Sequence, residues 1–294
     1  MKLYYSADYV AASDSFDTTR KSGWITKSLR VKPIAGVEIV PPVSLTVDDI
    51  CRVHDRRYVE AVRTGEPREL AQSQNFTWDQ GMWPMVTASN GGAVAAARAA
   101  WSGDGVSGSL SSGLHHAQHE RGAAFCTFNG LAIAAKTLLA EGAHSVLILD
   151  LDAHCGGGTH WLIDGDEHIR SIDVAVNGVD GYMPSGENTL DIVRVAGDYL
   201  PMIEMRLGEL PATPDLCIYN AGMDPDERCE IGGLPGIDES ILRKREELVF
   251  DWAKSHRIPI AFVLAGGYSG SMLAQNELVD LHRITIETAC RTTM

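Results

Sequence analysis

Three apolar runs constrain the fold of this chain more than any other feature. They are Ser145-Val146-Leu147-Ile148-Leu149, Leu216-Cys217-Ile218-Tyr219 and Pro259-Ile260-Ala261-Phe262-Val263-Leu264. Each is continuous rather than alternating, the pattern of a strand covered on both sheet faces. Residues 169–176 form a weaker fourth run. Between the runs stand helical patterns over residues 91–101, 129–141, 189–209 and 238–255. Strands alternating with helices predict βαβ units and a mostly parallel sheet.

Each strong run ends in a polar cluster: Asp150-Leu151-Asp152-Ala153-His154, Asn220-Ala221-Gly222-Met223-Asp224 and Ala265-Gly266-Gly267-Tyr268. Open α/β sheets bind ligands just beyond the carboxyl ends of their strands. Three polar clusters at three such ends are therefore expected to converge.

Hydrophobic residues make up 45% of the chain and charged residues 22%, a globular composition that excludes disordered, collagen-like and coiled-coil readings. No linker divides the 294 residues, so one domain, 1–294, is expected. The net charge of −14 disfavours a nucleic-acid or anionic-membrane partner. The six cysteines form no CxxC pair, residues 1–8 lack the apolar run of a signal peptide, and no stretch is apolar enough to span a bilayer. A cytoplasmic protein is expected; nothing in the sequence assigns an oligomeric state.

Asp152 and His154 stand two residues apart on an extended segment, so both side chains can reach one ion, with Asp224 as a third ligand from a neighbouring strand end. Such a set leaves room for water on a divalent metal. His115 and His116 follow a Gly-bearing loop and admit three readings: surface histidines, metal ligands, or a general base and acid beside a metal-bound water. Tyr268, after two glycines, reads either as an ordinary loop tyrosine or as a phenol that could donate a hydrogen bond to a developing oxyanion. Cys155 reads as a packed neutral thiol, because adjacent residues on an extended segment point apart. Gly156-Gly157-Gly158 lacks the lysine and spacing of a phosphate loop. Trp78, Asp79 and Trp83 are candidate entrance residues, with Asp79 able to hold substrate backbone amides.

The ordered set resembles the zinc-dependent histone deacetylase superfamily. It is carried by His54-Asp55-Arg56-Arg57-Tyr58-Val59, Gly113-Leu114-His115-His116-Ala117, Phe125-Cys126, Asp150 to His154, Ala221 to Asp224, Gly232-Gly233-Leu234 and Gly266-Gly267-Tyr268. It looks most like the compact class IV-like bacterial members. The resemblance implies the arginase/deacetylase fold, a three-layer α/β/α arrangement. It implies one Zn²⁺ per chain on Asp152, His154 and Asp224, carbonyl polarisation by Tyr268, and His115 and His116 as the tandem pair, with His116 as general base and acid. Asp150 would accept a hydrogen bond from His115 and help bind a structural K⁺, together with Asp152, His154, Ser171 and Ile172. Phe125, Tyr182, Met183, Ile231 and Gly113 are the implied substrate-channel residues.

The implied activity is hydrolysis of an acylated lysine or polyamine-like amine. A small-molecule amidase and a metal-bound acyl-ligand sensor stay open. An arginase-like two-metal enzyme would need an Asp at position 156, which is Gly. Relatives also carry Asp or Asn at the position of Gly157, where it orients the second tandem histidine. His116 is therefore expected to lack that partner unless another group replaces it.

Overall fold

The computed structural model describes residues 1–14, 16–210 and 212–292. Among them, eight strands form one sheet: β1 (Lys2–Tyr4), β2 (Glu38–Val40), β3 (Val106–Ser109), β4 (Val146–Asp150), β5 (Ile169–Ala175), β6 (Thr189–Ile192), β7 (Leu216–Ala221) and β8 (Ile260–Leu264). The order is β2-β1-β3-β8-β7-β4-β5-β6, and every pairing is parallel.

The three strong apolar runs are the central strands β8, β7 and β4, buried at every residue. Alternation divides their side chains between two layers. Leu147, Leu149, Cys217, Tyr219 and Phe262 pack with Leu242 and Phe250 of the helix Glu239–His256 and Leu281 of the helix Gln275–Thr292. Val146, Ile148, Leu216, Ile218 and Val263 pack on the other face with the helices Met82–Ala99 and Gly130–Ala140. This is the three-layer α/β/α arrangement. Each fully buried Leu, Ile or Phe contributes roughly 1.5–3 kcal/mol of transfer free energy. The capping residues are polar: Asn129 Oδ1 accepts from the Ala132 amide and Asp238 Oδ1 from the Ile241 amide, each at 3.0 Å.

One expected element is corrected. Residues 189–209 are not a continuous helix. Thr189–Ile192 is the edge strand β6, paired with Ile172–Ala175 of β5, and the helix spans only Tyr199–Gly208. Leu190 and Ile192 alternate with Thr189 and Asp191, a period-2 pattern that the longer window obscured. Arg206 then reaches from the helix to both carboxylate oxygens of Asp191, at 2.6 and 2.9 Å, and holds the two elements side by side. No helix among the described residues is long and apolar enough to cross a membrane.

Beneath the carboxyl ends of β4 and β7 lies Arg245, fully buried. Its Nη1 donates to the carbonyls of Leu151 at 3.2 Å and Gly222 at 2.6 Å, and to the Tyr199 hydroxyl at 3.2 Å. Its charge is met by Glu246, whose Oε1 accepts from Arg245 Nε and from the Tyr219 hydroxyl, both at 2.9 Å. Removing one member of a buried pair leaves the other charge uncompensated, at a cost of about 3–5 kcal/mol. Arg245→Met is therefore expected to lower the unfolding free energy by that amount, read from urea midpoints at unchanged slope. Loss of less than about 1 kcal/mol would mean that the pair does not tie the two strand ends.

Candidate active site

Asp152 and His154 follow β4, and Asp224 follows β7. All three are buried, and one donor atom from each lies within 4.8 Å of the others. His154 Nδ1 stands 3.1 Å from Asp152 Oδ1 and 3.2 Å from Asp224 Oδ2. Backbone amides hold the carboxylates: Gly266 N donates to Asp152 Oδ2 at 2.7 Å and Ala153 N to Asp224 Oδ1 at 3.0 Å. Asp224 Oδ2 is buried, and the His154 ring nitrogen at 3.2 Å is the ion-pair partner it faces. The close approach explains Gly266. A Cβ there would lie 2.0 Å from Asp224 Oδ2 and 2.4 Å from Asp152 Oδ2.

The electrostatics of this cluster call for a cation. Burial, and then the neighbouring Asp152, push Asp224 up to about 6. His154 is pushed up to about 11 because, against the cost of burial, both carboxylates favour its charged form. The histidine proton thus partly neutralises two acids in a dry site. One imidazole and two buried carboxylates, crowded around a shared space, fit a divalent metal of the zinc type.

The tandem histidines lie beside the triad. His115 Nδ1 pairs with Asp150 Oδ2 at 2.8 Å, and Asp150 Oδ1 accepts from Asn220 Nδ2 at 2.7 Å. His116 Nδ1 pairs with Asp180 Oδ2 at 2.8 Å. The two Nε2 atoms face each other at 3.1 Å. Their environments differ in sign. Burial opposes charge on His115, but Asp150 and Asp152 outweigh it and push the ring up to about 10. Burial and the adjacent His115 push His116 down. Two neighbouring titratable groups driven apart in this way are the arrangement of a charged donor and a neutral base.

The exception allowed for at Gly157, that another group replaces the missing partner of His116, is what the structure holds. A carboxylate does reach its Nδ1, from Asp180 in the loop after β5. Nothing in the spacing marked this residue, since Asp180-Gly181 reads as an ordinary turn.

Tyr268 leaves β8 through Gly267, whose φ of +138° suits only glycine. Burial, then Asp224 and Asp152, push the phenol well above its usual range, so it stays protonated and able to donate. Ser171 and Ile172 lie on β5 beside β4, with Ile172 opposite Leu149 and Asp173 opposite Asp150. Ser171 Oγ is buried without a partner. Burial and Asp150 push Asp173 well above the carboxylate range.

The channel candidates scatter. Phe125 has φ of +66° and its ring stacks on Phe16 at 4.2 Å, with Phe76 at 5.6 Å. Phe16 also lies 5.3 Å from the Tyr268 ring. It is a site residue that no motif announced. Tyr182 turns inward: its hydroxyl donates to Asp173 at 3.1 Å and its ring stacks on His160 at 4.3 Å. Met183 is 84% exposed and Ile231 43% exposed. The Gly113 carbonyl accepts from the Gly130 amide at 3.0 Å. Asp79 is tied to its own loop, its carboxylate accepting from the amides of Ser13 at 2.7 Å and Gly81 at 2.6 Å. Trp78 donates to the Val62 carbonyl and Trp83 packs edge-on to Phe128. Cys155 is buried, and burial pushes its thiol up to about 12.

Comparison with known proteins gives a consistent picture. The histone deacetylase domain model matches residues 16–281. An uncharacterised protein of Picosynechococcus sp. is 30% identical over 240 residues, 79% of this chain and 78% of that one. The acetoin utilization protein AcuC of Staphylococcus aureus is 32% identical over 162 residues, 52% of this chain but only 42% of that protein. The crystal structure of acetylpolyamine aminohydrolase from Burkholderia pseudomallei superimposes with a TM-score of 0.81 over 98% of both chains at 18% identity, a likeness of fold.

Elemental analysis after dialysis is expected to find one divalent metal per chain, and far less than one in Asp224→Asn or His154→Ala. Cys155→Ala is expected to keep full metal. Two equivalents in the parent, or undiminished metal in both ligand variants, would refute a single site on this triad.

Proposed function

The chain belongs to the histone deacetylase family, and from that membership and its buried triad we propose that it is a zinc-dependent amidohydrolase that removes an acyl group from an acylated lysine or polyamine-like amine. One observation carries the reading: a carboxylate–imidazole–carboxylate donor set lies beside two histidines held by separate carboxylates, with a tyrosine from a third strand end. On this reading residues 1–294 act as one catalytic unit.

Asp152, His154 and Asp224 would hold one Zn²⁺, which when bound supplies Lewis-acid polarisation of the amide carbonyl and makes a water more acidic. The rest is done by the chain. His116, driven neutral, accepts a proton from the attacking water at Nε2, because Nδ1 is engaged by Asp180. His115, held charged by Asp150, stays a donor towards the same space. The Tyr268 phenol donates a hydrogen bond to the oxygen that gains charge as the carbonyl is attacked. His116 then returns its proton to the leaving amine nitrogen as the C–N bond breaks, giving a carboxylate and a free amine.

The structural K⁺ belongs to the same proposal. Asp150, Ser171 with its unpartnered hydroxyl, Ile172, and the backbone of Asp152 and His154 would hold it. The two-metal alternative, already without a carboxylate at 156, would draw on the Asp-x-Asp of Asp224-Pro225-Asp226. Asp226 is engaged by Arg228, with Nε 2.9 Å from Oδ1 and Nη2 3.1 Å from Oδ2. A net charge of −14 suits the protonated amines that an acylated polyamine keeps, whereas an acylated lysine side chain is itself neutral.

Hydrolysis of a fluorogenic acyl-lysine peptide and of an acylated polyamine, with and without chelator, tests the reading. Turnover of at least one, abolished by chelator and restored by zinc, is expected. Tyr268→Phe should lower kcat by about 10²–10³-fold while keeping its metal. Fully metallated protein that cleaves no acyl-lysine, acyl-polyamine or simple amide would favour the ligand-sensor reading instead.

A further inference from the structure

Two neighbouring observations point the same way. The first is the contact itself: Asp180 Oδ2 stands 2.8 Å from His116 Nδ1 and also accepts from the Gly158 amide at 3.3 Å. The second is the volume it fills. A Cβ built on Gly157 would lie 2.5 Å from the Asp180 carbonyl oxygen, 2.6 Å from Oδ1 and 2.7 Å from Cγ. The loop therefore occupies the space above residue 157 with backbone as well as side chain, and only glycine fits beneath it.

The loop is built to hold that carboxylate inward. Cys155 N donates to the Val179 carbonyl at 3.0 Å and Asn177 N to the Ala153 carbonyl at 2.7 Å. Val179 N donates to Asn177 Oδ1 at 3.0 Å. On the far side Tyr182 is anchored on Asp173. Between these anchors Asp180 adopts φ of +60°, the left-handed region that Asp and Asn enter at lower cost than other side chains. Its side chain is 27% exposed, so the carboxylate bridges the rim of the site and the buried imidazole.

We propose that Asp180 is the positioning residue for the general base: a carboxylate delivered from the rim loop after β5, in place of a side chain at position 157, fixes the His116 tautomer and ring orientation. This rests on the amidohydrolase reading for its kinetic consequences but not for the pairing itself. With Nδ1–H held by Asp180, Nε2 is left as the ring's proton-accepting nitrogen, facing His115 Nε2 at 3.1 Å. Because the same loop carries Tyr182 and Met183, the residue that orients the base shares a backbone segment with the rim.

Asp180→Gly removes the carboxylate without straining the left-handed backbone, and Asp180→Asn keeps both the backbone preference and a hydrogen-bond acceptor. In Asp180→Gly, kcat is expected to fall about 10- to 100-fold with KM changed less than about twofold, at full metal content. Asp180→Asn should recover part of kcat. In ¹⁵N-histidine NMR the downfield Nδ1–H resonance of His116, assigned by its loss in His116→Ala, should vanish in Asp180→Gly and persist, shifted, in Asp180→Asn. A variant that loses thermal stability but keeps kcat would show Asp180 to be only a cap on the helix Gly157–Ile163. A rise in KM alone, or an unchanged His116 resonance, would equally overturn the proposal. If the parent hydrolyses nothing, the amidohydrolase reading fails, and the resonance alone decides the pairing.

Discussion

Two carboxylates, Asp152 and Asp224, are driven together where water cannot screen them, and much of the surrounding structure answers that repulsion. Amides of Gly266 and Ala153 point at them, and His154 lies between them. Lys21, buried and bonded to the Ala265 carbonyl, adds positive charge nearby, although burial lowers its pKa. Arg245 lies beneath and holds the carbonyls of Leu151 and Gly222, each next to or near a ligand in sequence. The parallel sheet makes this possible, because β4, β7 and β8 are neighbours and all end on the same side. A cation among the three side chains would complete the compensation that amides and remote lysine or arginine charges only begin.

The histidine pair is a second consequence of the same field. Burial lowers both rings' affinity for a proton, but Asp150 and Asp152 outweigh it at His115, whereas at His116 burial and the adjacent His115 outweigh Asp180. The chain thus separates two identical side chains, adjacent in sequence, by the carboxylates each one meets. Surroundings, and not residue type, set the difference between the two rings.

Legibility followed burial. The central strands and the triad could be read because continuous apolar runs and strand-end polar clusters are local signals. The strands β1 and β2 at one end of the sheet, three residues each, are too short to show a period, and the edge strand β6 lies inside a window of helical pattern. Phe16 meets Phe125 and Tyr268 from the start of the helix Asp17–Val31, more than 100 residues before either, so only the fold joins them. Tyr182 kept its neighbourhood but turned its hydroxyl to the buried Asp173 instead of outward. Sequence spacing does not report which way a loop side chain points.

Gly157 and Asp180 show why a missing motif residue is weak evidence of lost chemistry. The imidazole senses an oxygen at hydrogen-bond distance and the charge behind it, not the chain position that supplies them. A carboxylate at 157 would arise from a helix start; the one at 180 arises from a loop pinned at Val179 and Tyr182. The two solutions exclude each other sterically, since the Asp180 carbonyl fills the space of any side chain at 157. Glycine at 157 therefore marks the presence of the loop above it as much as the absence of an acid.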